Sequence, residues 1–171
     1  MKTHIAIISS TYRSEITNTL LKHCLKTLKE KGVSEKQIEV FEVPGALEIP
    51  LLAKKLAKLR AVKSRRRRGK KKYNGIIALG TVLKGKTFHF EQVAQECVRG
   101  CMKVSYDYEI PVVFEVLCVY QKKDAIKRAA QRGIEGALTC LKMIEIIKTF
   151  CLKNLFVQYQ PQLTLLKTGT C

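Results

Sequence analysis

No Cys-x-x-Cys pair occurs in this chain, although seven of its 171 residues are cysteine. Cys97 and Cys101 stand one helical turn apart, with no histidine pair nearby to complete a zinc set. An odd number of thiols without ligand spacing points to small buried hydrophobes in a reducing compartment. No apolar run is long enough to span a bilayer. The apolar start, Met1 to Ile8, is too short for a signal peptide and passes straight into Ser9-Ser10-Thr11. It is expected to be a first strand, and the protein is expected in the cytoplasm, with no membrane partner. Internal repeats are also missing.

Acidic residues are scarce. Fourteen Asp and Glu face 32 Lys and Arg, for a formal net charge of +18. Much of the excess lies in one segment, from Arg60 and Lys63 through Arg65–Arg68 to Lys70–Lys72. Such a block repels itself and predicts a solvated insertion at about 60–73. It can attract nucleic acid weakly and non-specifically, but no aromatics interleave it for base stacking.

Apolar strands and amphipathic helices alternate along the chain. Strands are predicted at His4–Ser9, Gln37–Val43, Gly75–Leu79 and Pro111–Cys118. Helices are predicted at Glu15–Lys31 (ended by Gly32), Ala46–Leu59 and Phe90 to about Asp107, then at Lys122–Arg132 and Ile134–Phe150 around Gly133. This alternation implies a parallel sheet covered on both faces, in one domain over 1–152. The tail from Lys153 to Cys171 shows no period and contains Pro161, so a partly ordered extension is expected there. In such sheets ligands bind beyond the carboxyl ends of the strands. That rule groups Ser10–Arg13, Pro44–Glu48, Thr81–His89 and the region beyond Phe114.

Gly80 to His89 is the most telling stretch. A glycine-bearing turn from strand to helix aims backbone N–H groups at one spot, which suits a phosphate, with His89 beside it. Gly80-x-x-x-x-Gly85-Lys86-Thr87 also satisfies the P-loop pattern. A nucleotidase further needs an Asp closing a second apolar strand, and no strand here ends that way. A nucleotide-binding loop and a small-molecule phosphate site both remain open on these residues.

Val43-Pro-Gly-Ala-Leu-Glu-Ile-Pro50, Leu79-Gly-Thr-Val-Leu-Lys-Gly-Lys-Thr-Phe-His89 and Pro111-Val-Val-Phe-Glu-Val-Leu117 with Ala125-Ile-Lys-Arg128-Ala resemble the 6,7-dimethyl-8-ribityllumazine synthase family. The similarity runs in order from about Ile5 to Glu145, outside the basic insertion. It implies a flavodoxin-like three-layer α/β sandwich, with a four-stranded parallel sheet in the order 2-1-3-4. The implied reaction condenses 5-amino-6-(D-ribitylamino)uracil with 3,4-dihydroxy-2-butanone 4-phosphate, releasing phosphate and water, in riboflavin biosynthesis. No metal or other cofactor is implied.

The resemblance also implies roles for residues. Tyr12 stacks on the pyrimidine, while Ala46, Leu47 and Glu48 hold the ribityl chain and pyrimidine edge. Thr81, Val82 and Leu83 line the pyrimidine site. Lys86, Thr87 and Arg128 bind the phosphate, and His89 is the proton donor. Phe114 closes the pocket from a neighbouring subunit of a homopentamer. Because the first strand starts almost at Met1, a pentamer or pair of pentamers is expected rather than a 60-subunit shell. Departures stand at Tyr12 (usually Phe), Arg13 (usually Asn), Glu115 (usually Gly) and Ile134-Glu135-Gly136 (commonly Asn-Lys-Gly). They leave open a catalytically impaired pentamer- or shell-forming homologue, or a nucleotide- or RNA-binding protein using Gly80–Thr87 or the basic run.

Overall fold

The computed structural model describes residues 3–61 and 73–165, with side chains placed at 3–59 and 73–151. Residues 62–72, most of the basic run expected to be a solvated insertion with at most weak, non-specific attraction to nucleic acid, lie outside the described residues. Four strands form the sheet: β1 (Ile5–Ser10), β2 (Ile38–Val43), β3 (Gly75–Leu83) and β4 (Val112–Val119). All neighbours are parallel, in the order β2-β1-β3-β4, so β2 and β4 are its edges. The helices are α1 (Ser14–Glu30), α2 (Ile49–Ala61), α3 (His89–Tyr108) and α4 (Lys122–Leu165). This is the doubly covered α/β sheet expected from the alternating pattern.

The central strands read as unbroken apolar runs because both of their faces are buried. Ala6, Ile8, Ile76 and Ala78 pack with Ala53, Leu56 and Ala57 of α2 and with Val93, Cys97 and Cys101 of α3. Ile5, Ile7, Ile77 and Leu79 face the other way, toward Leu20, Cys24 and Leu28 of α1 and Ala129, Ala137 and Cys140 of α4. Cys24, Cys97, Cys101 and Cys140 are therefore core residues, as expected, whereas Cys118 and Cys151 are exposed. Burial pushes the Cys24 and Cys140 thiols up to about 12, so they stay neutral.

Gly32 ends α1 as predicted. At φ 84° it lets the Val33 N–H donate to the Leu28 carbonyl at 3.0 Å, and Val33 is buried with Leu28.

Several boundaries differ from expectation. A short tight turn of helix over Ala46–Glu48 precedes α2, which leaves Pro50 in the first turn, where its missing N–H costs nothing. Gly133 does not divide α4. A Cβ there would stand 2.4 Å from the Leu20 carbonyl oxygen, so this glycine is where α4 presses on the α1 backbone. The α4 backbone also continues to Leu165, past Pro161 and through the expected irregular tail. Leu152, Leu155, Phe156 and Tyr159 do carry a helical spacing that continues α4.

β3 runs four residues beyond its expected end. Gly80 is thus strand, not turn, and a Cβ on it would meet the Ser10 Cβ at 3.3 Å and Val116 Cγ1 at 3.4 Å. The connection to α3 is 84–88, with Gly85 in open space. Since the first glycine of the P-loop pattern is locked inside the sheet, Gly80–Thr87 cannot wrap a nucleotide phosphate as a loop.

Candidate functional site

β1, β2 and β3 end at the same edge of the sheet, and the segments that follow them enclose a cleft of about 390 Å³. Tyr12 and Arg13 come from the β1–α1 turn, Gly45 to Glu48 from the turn after β2, and Thr81, Val82 and Leu83 from the end of β3. Gly85, Thr87, His89, Phe90 and Val93 close the remaining side. Of the expected residues, Tyr12, Ala46, Leu47, Glu48, Thr81, Val82, Leu83, Thr87 and His89 come together here. Lys86 is exposed and does not line this cleft.

The walls of the cleft differ in character. Ala46 is buried and Thr81 almost fully so, while Tyr12 is 73% and Leu47 45% exposed on the rim. The Thr81 hydroxyl and the Arg13 Nε are both buried without a hydrogen-bond partner. The Arg13 guanidinium lies 5.3 Å from the centre of the Tyr12 ring. Buried donors left unpaired within the chain are positioned for a ligand. Lys84, by contrast, is engaged by Glu91 and stands over Phe90, which braces the start of α3. His89, the first residue of α3, is exposed on the cleft.

Phe114 and Arg128 lie elsewhere. They line a second cleft of about 590 Å³ along the open edge of β4, with Tyr120, Asp124 and Arg132. A single chain therefore does not bring Arg128 to His89. Phe114 is half-buried against Val112 and Val116, and Arg128 is exposed. Sequence reasoning did not name Arg132 for this cleft, although its place four residues after Arg128 puts both on one helix face.

Glu115 adds an unusual feature behind this cleft. It is only 5% exposed, yet its Oε2 lies 2.8 Å from Arg132 Nε in an ion pair, and Arg132 Nη1 also holds Glu135 Oε2 at 2.9 Å. Burial pushes the Glu115 carboxyl up to about 7, against the opposing pull of Arg132. Among the described residues no cluster of His, Cys, Asp and Glu is arranged to hold a metal ion. No helix among them is long and apolar enough to cross a membrane.

Residues 2–148, which include both clefts, match the family model for 6,7-dimethyl-8-ribityllumazine synthase. The chain belongs to this family. It is similar to the 6,7-dimethyl-8-ribityllumazine synthase of Ruthia magnifica subsp. Calyptogena magnifica, with 42% identity over 147 residues, 85% of this chain and 84% of that protein. The protein of the same name from Vesicomyosocius okutanii subsp. Calyptogena okutanii (strain HA) is 43% identical over 144 residues, 84% of this chain and 83% of the relative.

Proposed function

We propose that this chain is a transferase that condenses 5-amino-6-(D-ribitylamino)uracil with 3,4-dihydroxy-2-butanone 4-phosphate to give 6,7-dimethyl-8-ribityllumazine, phosphate and water. We further propose that each active site is shared by two copies. The observation that carries this reading is the division of the site residues between two clefts. Tyr12, Glu48, Thr81 and His89 occupy the strand-end cleft, while Phe114 and Arg128 occupy the β4 edge. Joining the first cleft of one copy to the β4 edge of the next pairs two different surfaces. A contact of that kind is head-to-tail and makes a ring where its rotation closes, in accord with a homopentamer. Exposed Tyr12, Leu47, Phe88 and Tyr120 at these surfaces supply apolar area for it.

In this reading Tyr12 stacks on the pyrimidine, Thr81, Val82 and Leu83 line its edge, and Ala46, Leu47 and Glu48 meet the ribityl chain. Thr87 and the neighbour's Arg128 hold the phosphate, Arg128 through its planar fork. One amine adds to the ketone and loses water to form an imine, phosphate leaves by β-elimination, and the second amine closes the ring with loss of a second water. Each step moves a proton, and the imidazole of His89, exposed on the cleft, is the group placed to carry it. Holding two reactive molecules together supplies much of the remaining rate. Exposed free thiols at Cys118 and Cys151 suit a reducing compartment, and we place the enzyme in the cytoplasm.

The test is to incubate the purified chain with both substrates and follow the absorbance and fluorescence of the lumazine. Product above the spontaneous rate is expected, with slower turnover in His89→Ala and a raised KM for the phosphorylated ketone in Arg128→Ala. A folded protein that yields no product above background would overturn the activity.

A further inference from the structure

Arg13 occupies the N-cap position of α1, where its carbonyl accepts from the Ile16 and Thr17 amides at 3.0 Å each. That position favours Ser, Thr, Asp or Asn, whose short side chains accept from a free amide of the first turn. Arginine has no acceptor, and α1 has no side-chain cap. The chain therefore forgoes a stabilising cap at the mouth of its cleft. Such a breach of a local rule is expected where a residue serves a site rather than the fold.

What the side chain does instead is visible. It lines the strand-end cleft, its guanidinium lies 5.3 Å from the centre of the exposed Tyr12 ring, and its Nε is buried with no acceptor. A buried donor without an acceptor is costly unless a ligand supplies one. Glu48, which lines the same cleft, offers a carboxylate that only accepts. A ligand that meets both side chains must both accept and donate, as carbonyls, ring N–H groups and hydroxyls do. The phosphorylated ketone is short and carries its charge at one end; the ribityl-bearing diamine presents oxygens along its whole length.

We propose that Arg13 is a substrate-binding residue specific for the diamine, donating to its oxygen atoms while the Tyr12–Arg13 pair fixes the ring. This rests on the lumazine synthase reading of the cleft and assigns one substrate to one residue within it. Steady-state kinetics varying each substrate test it, together with calorimetric titration of the diamine alone and thermal melting. Arg13→Ala raises the KM and Kd for the diamine about tenfold or more, the loss typical of one charge-assisted hydrogen bond. The KM for the phosphorylated ketone stays within about twofold of the parent. Arg13→Lys, which keeps the charge without the fork, recovers only part of the loss. Arg13→Asp, which cannot donate, weakens diamine binding as well, yet melts at a higher temperature because it restores the cap.

If Arg13→Ala binds the diamine within twofold of the parent, or raises only the KM for the phosphorylated ketone, the assignment is wrong. A higher melting temperature in Arg13→Asp with unchanged diamine binding also defeats it. A parent protein that neither turns over nor binds the diamine sinks the underlying activity instead, which the titration distinguishes.

Discussion

A Cβ placed on Gly136 would stand 2.7 Å from Cγ of Glu115. The two residues face each other between β4 and α4, and the space for the buried carboxylate exists because the helix lacks a side chain there. Gly136→Ala should destabilise the fold by about 1–3 kcal/mol through overpacking. In a Glu115→Gly background the same alanine should be neutral or stabilising, since helix propensity then favours it by roughly 1 kcal/mol. Urea unfolding of the four members of this cycle checks the coupling, and additive effects would show that the two residues do not share the space.

Glu115 also makes stability depend on pH. The groups facing it are Arg132 and Glu135 on α4 and Cys24 on α1. Burial raises its folded-state pKa to about 7, above the unfolded value of 4.5. The folded protein thus binds a proton more tightly than the unfolded chain. The contribution is fully present below about pH 4.5 and is lost as pH rises through 7, by up to about 3 kcal/mol. Unfolding free energies at pH 5 and pH 8 should differ less in Glu115→Gln than in the parent. An equal difference in both would assign the pH dependence to other groups.

The Thr81 hydroxyl is buried and unpaired in the free chain. Thr81→Val removes that hydroxyl at nearly constant shape, so stability should hold or rise by up to about 1 kcal/mol. Affinity for the diamine should fall about tenfold, because the variant loses the donor that lines its edge. Calorimetry alongside thermal melting separates the two effects. A variant that is less stable and binds normally would return Thr81 to the fold alone.

Sharing of the site between copies predicts complementation. His89→Ala and Arg128→Ala lie in different clefts, so each impaired copy still carries one intact half. Unfolding and refolding a 1:1 mixture should restore about one quarter of parental activity in a head-to-tail ring, since that fraction of junctions pairs two intact halves. Activity no higher than that of the separate variants would mean that both residues act within one copy.

The parallel pairing and most strand positions were legible because burial on both faces leaves unbroken apolar runs, whereas the strand order followed from the family resemblance. Four of the six cysteines among the described residues are buried, as composition implied. The positions that misled were glycines. Gly80 and Gly133 look like punctuation along the chain, yet one lies inside β3 and the other under the α1 backbone. A missing side chain signals either a turn or a close approach, and only the packed partner tells which.

The same limit governed the site. Local pattern by itself determined which segments follow the strands and form a cleft, because period and turn chemistry are properties of neighbouring residues; the side chains that enter it were named by the family resemblance. Only the tertiary structure decided that Arg128 and Phe114 open onto the β4 edge, that Arg13 leaves its donor unpaired, and that Glu115 is buried beside Gly136. Those facts depend on which elements touch across the sheet, and contact between residues far apart in the chain has no periodicity to betray it.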